Sequence, residues 1–304
     1  LPYVSQPLQD NLILYTAFGS KQHTRRRRSR LKHRTGSNHL NQFEHETAVV
    51  EIAPFRYAGE LHRGWRIGKV PNGGYVLAIC GRALRDALPH PDPLAVNAFY
   101  LAPTRLGPVE CEVEILRRGR NTSHAMARLY QDGELKVQVT AAYTELQSLR
   151  GEDWAAETVP DLPAMADCFE HQGSELEFHQ RVDLRLAHGR GVFDDRGPDR
   201  SGEFNGYMQH RDGAPPDALS LLMFADAFPP PAFNVFGVVG WVPTVELSVQ
   251  VRAHPAPGPL RARLYSRFMT RGVIEEDGEY WDSEGNLVAL SRQTALVRAP
   301  GGSQ

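Results

Sequence analysis

Few side chains in this 304-residue sequence are placed to do chemistry, and three stand out. Asp226 lies in LLMFADAF, an otherwise apolar run closed by Pro229 to Pro231. A carboxylate buried in such a run needs partners, and near a helix C-terminus it faces the negative end of the helix dipole. Both effects raise the energy of the anion, as happens where a carboxyl group is tuned to exchange protons. Gln293, in SRQTA, shares a strand face with Leu287, Ala289, Ala295 and Val297 and is therefore expected to be buried. A buried amide either satisfies neighbouring backbone groups or faces a ligand. Thr244 opens the run TVELSV, where strict alternation groups it with Glu246, Ser248, Gln250 and Arg252 on the polar face. Only its position at the strand start would let it reach the sheet rim.

Other chemistries find no support. There is no G-x-S-x-G elbow, and Cys80, Cys111 and Cys168 have neither metal-ligand spacing nor a nucleophile setting. An odd, sparse cysteine set fits a reducing compartment, and a cytoplasmic location is expected. The twelve His residues form no ligand motif: His33, His39 and His45 lie in a basic arm, His171 and His179 in a linker, and His124 in an alternating strand. Asp194, Asp195 and Asp199 crowd a Gly-rich loop, but their spacing matches no calcium loop. Asn121-Thr122-Ser123 is a glycosylation sequon without relevance in a cytosolic protein. No stretch approaches the ~18 consecutive apolar residues of a membrane helix. Neither metal nor cofactor is expected.

The elements that must position these residues read as α+β. PNGGYVLAICGRALRDAL, residues 71–88, begins with Pro71, Asn72, Gly73 and Gly74 as helix-start chemistry and continues apolar on nearly all sides to Cys80. Such a helix has no polar stripe to show to water and calls for a sheet wrapped around it. Val109, Cys111, Val113 and Ile115 alternate with Glu110, Glu112 and Glu114, and Asp132-Gly133 marks a hairpin. The order then recurs: an apolar helix over 216–228, alternating strands from Val245 and Leu260, a turn at Glu284-Gly285, and a final strand over 286–298. Two copies of roughly 110–120 residues each are the main organisational feature. The divisions expected are a basic, disordered arm over 1–45, a first domain over 46–147, a linker over 148–177, a second domain over 178–299 and a tail over 300–304.

The formal net charge of −2 conceals a split. Residues 1–45 carry eight Lys/Arg against two acids, or +6, and the other 259 carry 26 against 34, or −8. An Arg-rich arm can neutralise phosphates, but it has no interleaved aromatics, so nucleic-acid binding is not expected and the arm is read as functionally idle.

The ordered motifs resemble the acyl-CoA thioesterase II family. The first half does so through PNGGYVLAICGRAL, FYLAP (99–103) and VEILRRGRNTSHAMARLYQDGE (113–134), the second through LLMFADAF, PTVELSV (243–249) and EYWDSEGNLVALSRQTALVR (279–298). The resemblance covers about residues 47–299. It implies a tandem, or double, hot-dog fold, each half an antiparallel sheet wrapped around a central helix. It also implies hydrolysis of acyl-CoA to free acid and CoA, and a homo-oligomer, dimer or tetramer. In that family an Asp activates a water, assisted by a Thr and a Gln; motif by motif these fall on Asp226, Thr244 and Gln293. A thioester carbonyl is electrophilic enough for an oriented water and a carboxylate base to suffice. Backbone N–H groups at a helix start are expected to complete an oxyanion site. A double hot-dog that binds acyl-CoA without hydrolysing it is the alternative. The first half offers a decoy, since Asp86 in RDALP mimics Asp226 in ADAFP. However, eight residues after Gly133 stands Ala141, while eight after Gly285 stands Gln293, so the first half is expected to be structural or substrate-shaping.

Overall fold

A computed structural model describes residues 41–171 and 177–297; the arm through residue 40 and the tail over 300–304 lie outside the described residues. Residues 41–45, grouped by charge with the arm, instead belong to the folded part. Asn41 caps a short helix, α1 (Gln42–Glu46), in a reciprocal capping box with Glu44, and Phe43 is buried.

The first half continues with β1 (Val50–Ala53), β2 (Arg56–Leu61), α2 (Gly73–Ala87), β3 (Asp92–Tyr100), β4 (Gly107–Arg118), β5 (Thr122–Gln131) and β6 (Glu134–Thr144). The second comprises β7 (Val182–His188), β8 (Glu203–His210), α3 (Ser220–Phe224), α4 (Ala232–Phe236), β9 (Thr244–Val251), β10 (Leu260–Tyr265), β11 (Val273–Trp281) and β12 (Leu287–Leu296). All twelve strands, with the two-residue strands Phe169–Glu170 and Met269–Thr270, make one 14-stranded sheet. Its order is β1-β2-β4-β5-β6-β3 in the first half, then β9-β12-β11-β10-β8-β7 in the second. Read outward from the β3–β9 seam, the two halves run through corresponding strands, so the sequence repeat is a repeat of topology.

The seam is itself symmetric. Val96 pairs with Val249 and Ala98 with Leu247, on either side of the central pair Asn97 and Ser248. α2 is buried along Gly74–Leu84, as its lack of a polar stripe requires, and ends before Pro89. The second helix is shorter than the 216–228 expected. Just ahead of it Asp217 Oδ1 accepts from Ser220 N at 2.6 Å, but after Phe224 the backbone tightens. Asp226 N and Ala227 N donate three residues back, to Met223 O and Phe224 O, each at 3.2 Å. The three prolines that follow leave no amide donors to continue the helix.

α2 and α3 cross with unusually close backbones. A Cβ placed on Gly74 would lie 2.5 Å from Met223 O, and one on Gly81 would meet the Leu219 and Leu222 methyls at 2.9 Å. One hydrophobic core runs through both halves, from Tyr75 and Leu77 on α2 to Leu222 and Phe224 on α3.

Candidate active site

Asp226 sits where the tightened end of α3 meets the start of α2. Its Oδ2 accepts from Gly74 N at 3.0 Å and from Asn72 Nδ2 at 3.0 Å, and its backbone oxygen accepts from the same amide at 2.7 Å. Asn72 acts twice, because its Oδ1 also caps α2 by accepting from Tyr75 N at 2.9 Å. Glycine is required here by approach: a Cβ on Gly73 would stand 2.9 Å from Asp226 Oδ2 and 3.1 Å from the Tyr100 ring. Tyr100 closes the contact by donating from its hydroxyl to Gly73 O at 2.9 Å. Thus the second half supplies the carboxylate and the first half supplies the helix N-terminus that receives it.

The electrostatics pull in two directions. Burial raises the Asp226 carboxyl, while the N–H groups of Gly74 and Gly73 and the Asn72 amide favour its anion; burial prevails and the pKa rises to about 6. A carboxyl so poised is ionised at neutral pH yet remains a competent proton acceptor. Backbone N–H groups at a helix start were expected to complete an oxyanion site; at the start of α2 the Gly74 N–H is engaged by the Asp226 carboxylate.

Thr244 is where the strand pattern misleads. Thr244 pairs with Ala295 and Glu246 with Thr294, so two residues of β9 pass against one of β12. This β-bulge shifts the alternation by one residue. Directly paired residues share a face, and Ala295 is buried; Thr244 therefore lies on the inner, helix-facing side with Leu247 and Val249, while Val245 is exposed. Gln293, opposite Leu247, lies on the same inner face and is 5% exposed; its Oε1 has no hydrogen-bond partner among the described residues. On the other side of Gln293, across the β12–β11 ladder, stands Glu276, also buried.

The first half repeats this scaffold without its side chains. A bulge of the same form separates Pro93, opposite Tyr143, from Ala95, opposite Ala142. Pro93 thereby takes the place of Thr244, and Ala141, opposite Val96, takes that of Gln293. Asn72 and Asp217, each ahead of its helix, hold the backbone N–H three residues on. Nine residues after Asn72 stands Gly81, and nine after Asp217 stands Asp226. Asp86 is thus not the counterpart of Asp226; it is exposed and paired with its neighbour Arg85 at 3.4 Å.

Residues 61–144 match the acyl-CoA thioesterase N-terminal domain and residues 153–297 the acyl-CoA thioesterase C-terminal domain. The chain belongs to this acyl-CoA thioesterase family. Its fold is that of a crystal structure assigned as a thioesterase II from Thermobifida fusca YX, with a TM-score of 0.79 and 30% identity over 86% of this chain and 100% of that one. A hot-dog protein of Alicyclobacillus acidocaldarius aligns with a TM-score of 0.75 and 24% identity over 86% of this chain and 99% of its own. A protein of Mycobacterium tuberculosis is 30% identical over 271 residues, 80% of this chain and 91% of the relative. As in the hot-dog fold, each half of this thioesterase-family chain wraps antiparallel strands around its central helix, and it is α+β as the sequence implies.

Sequence reasoning missed four residues around this candidate site. Asn72, Gly73 and Gly74 were legible as a helix start but not as the seat of a carboxylate 152 residues away from Gly74. Glu276 was passed over because it lies in the acidic stretch EEDGE; alternation with Ile274, Gly278 and Tyr280 would have placed it inside. Two cavities, about 430 Å³ beside Cys168 and His188 and about 330 Å³ beside Asn97 and His124, include none of Asp226, Thr244, Gln293 or Glu276. In the Gly-rich loop, Asp194 is tied to Arg196 at 3.0 Å. No described helix is long and apolar enough to cross a membrane.

Proposed function

We propose that this chain hydrolyses acyl-CoA thioesters, with Asp226 as the general base and Thr244 and Gln293 holding the attacking water. The observation that carries this reading is the half-buried Asp226 carboxylate seated on the N-terminus of α2, in a chain whose two halves both match acyl-CoA thioesterase domains. In the step proposed, water adds to the thioester carbonyl carbon as its proton passes to Asp226. The tetrahedral intermediate then breaks its C–S bond, and the departing sulfur takes that proton, giving free acid and thiol. Gln293 Nε2 is the amide donor available to the growing negative charge, a kind of contact whose removal elsewhere costs about 2.7–4 kcal/mol.

The test is thiol release from a panel of short, medium, branched and aromatic acyl-CoAs. Saturable acyl-CoA binding without thiol release would select the binding-only alternative. That alternative was favoured by a doubtful facing of Thr244; the bulge in β9, which turns Thr244 to the inner face, supports the hydrolytic reading.

Two further results are expected. Thr244→Val keeps the side-chain volume and deletes one hydroxyl; kcat should fall about tenfold, the effect of one lost hydrogen bond, with thermal unfolding little changed. The rate should also rise with pH through about 6, since Asp226 must be ionised to accept the proton and burial has moved its pKa there. A log kcat profile flat from pH 5 to pH 8 would remove Asp226 from the base role.

A further inference from the structure

Glu276 is a buried carboxyl group to which the proposed mechanism gives no task. It is 6% exposed. Across the β11–β12 ladder its direct partner is Gln293, itself 5% exposed with an unpartnered Oε1. Side chains of directly paired residues have Cβ atoms roughly 4.5–5.5 Å apart, so a Glu and a Gln there can join end to end. A carboxylate and an amide oxygen repel, whereas a carboxylic acid donates to an amide oxygen and satisfies both groups.

We propose that Glu276 donates its carboxyl proton to Gln293 Oε1 and so turns the Gln293 Nε2 hydrogens toward the reacting thioester. Glu276 is a positioning residue: it acts through Gln293 and touches no substrate. Its surroundings support the neutral form. Burial raises its pKa well above the usual carboxylate range, and the negative charges of Asp226, from the end of α3, and Asp277, its chain neighbour, push it further. The nearby cations Arg292 and Arg267 are paired with Asp277. The other titratable groups around Asp226, Tyr100 on β3 and Tyr280 on β11, are phenols held neutral by burial.

This inference rests on the thioesterase reading for its kinetic test but has a second readout without substrate. Glu276→Gln preserves a donor that cannot ionise, and Glu276→Ala removes it. The wild-type rate should fall on the alkaline side as Glu276 loses its proton, and E276Q should keep most of the activity while lacking that fall. E276A should lose about 10- to 100-fold, and E276A in a Gln293→Ala background should lose no more than Q293A alone. Infrared difference spectra of the substrate-free protein should show a protonated carboxyl band that E276Q abolishes. An alkaline limb retained in E276Q, multiplicative losses in the double variant, or no protonated carboxyl band would each overturn the proposal. E276Q is nearly isosteric, so its pH profile decides the matter even if E276A does not fold. A wild-type protein that releases no thiol from any acyl-CoA would sink the thioesterase reading, while the infrared band would still test the Glu276–Gln293 hydrogen bond.

Discussion

Asp226→Asn is expected to lower kcat for acyl-CoA hydrolysis by about 10²- to 10⁴-fold, the range that a positioned general base contributes. The variant should be as stable as the parent or more so at pH 8. Asn at this position retains an oxygen to accept from Gly74 N, so the seam between α3 and α2 stays closed. What it loses is a charge that burial disfavours. With a folded pKa of about 6 against an ordinary 3.8, Asp226 binds more protons in the folded state than in the unfolded one between those values. Stability therefore falls as pH rises through that window, and the Asn variant should lack this component of the fall. Steady-state thiol release, paired with thermal unfolding at pH 5 and pH 8, measures both halves of the expectation. A variant as fast as the parent would exclude Asp226 as the base, and one strongly destabilised at pH 8 would make it a structural ion.

Gly74→Ala should be strongly damaging, and Gly81→Ala, on the same helix, mild. At Gly74 the new carbon would stand 2.5 Å from Met223 O and 2.9 Å from Leu222 O. These are backbone atoms of α3, and relieving them means moving that helix away from α2. The move would also draw Asp226 off the N–H groups that hold it. A stability loss of about 1–3 kcal/mol is expected from the overpacking, with a fall in kcat because the base is displaced. At Gly81 the obstacles are Leu219 Cδ2 and Leu222 Cδ1, each at 2.9 Å, and side-chain tips can rotate aside. The gain in helix propensity from Gly to Ala, about 1 kcal/mol, then offsets much of the crowding. Denaturant midpoints of the two variants, with kcat for each, give the comparison; equal behaviour would show that the Gly74 contact does not seat Asp226.

The contrast between these sites also explains what could be read from the sequence. The repeat, the apolar helix over 71–88 and the alternating strands were legible because each rests on local periodicity, which burial enforces residue by residue. The decoy status of Asp86 was legible from the missing glutamine at Ala141. Thr244 was not legible as an inner residue, because a bulge changes the face of a strand without changing its composition, and only the pairing of Thr244 with Ala295 reveals it. The length of α3 was overestimated because its apolar character continues past Phe224, whereas its hydrogen bonding does not. Glu276 was hidden by acidic neighbours, since a run of Glu and Asp ordinarily marks a wet strand. The seating of Asp226 on α2 is a contact between distant segments, and no window of sequence contains both.

The place of β12 in the sheet bears on when the molecule becomes competent. It follows every other described strand in chain order, yet it is inserted between β9 and β11, near the middle of the sheet, and it carries Gln293. The β3–β9 seam likewise joins segments some 150 residues apart in the chain. Contacts of such long range close slowly, because loop entropy is lost before the pairing is gained. During synthesis the first half can collapse around α2 early, but the proposed catalytic groups do not assemble until β12 has left the ribosome and threaded into its slot. Recovery of hydrolysis after dilution from denaturant would then lag behind recovery of helical signal, making the catalytic rate a clock for the last long-range step of folding.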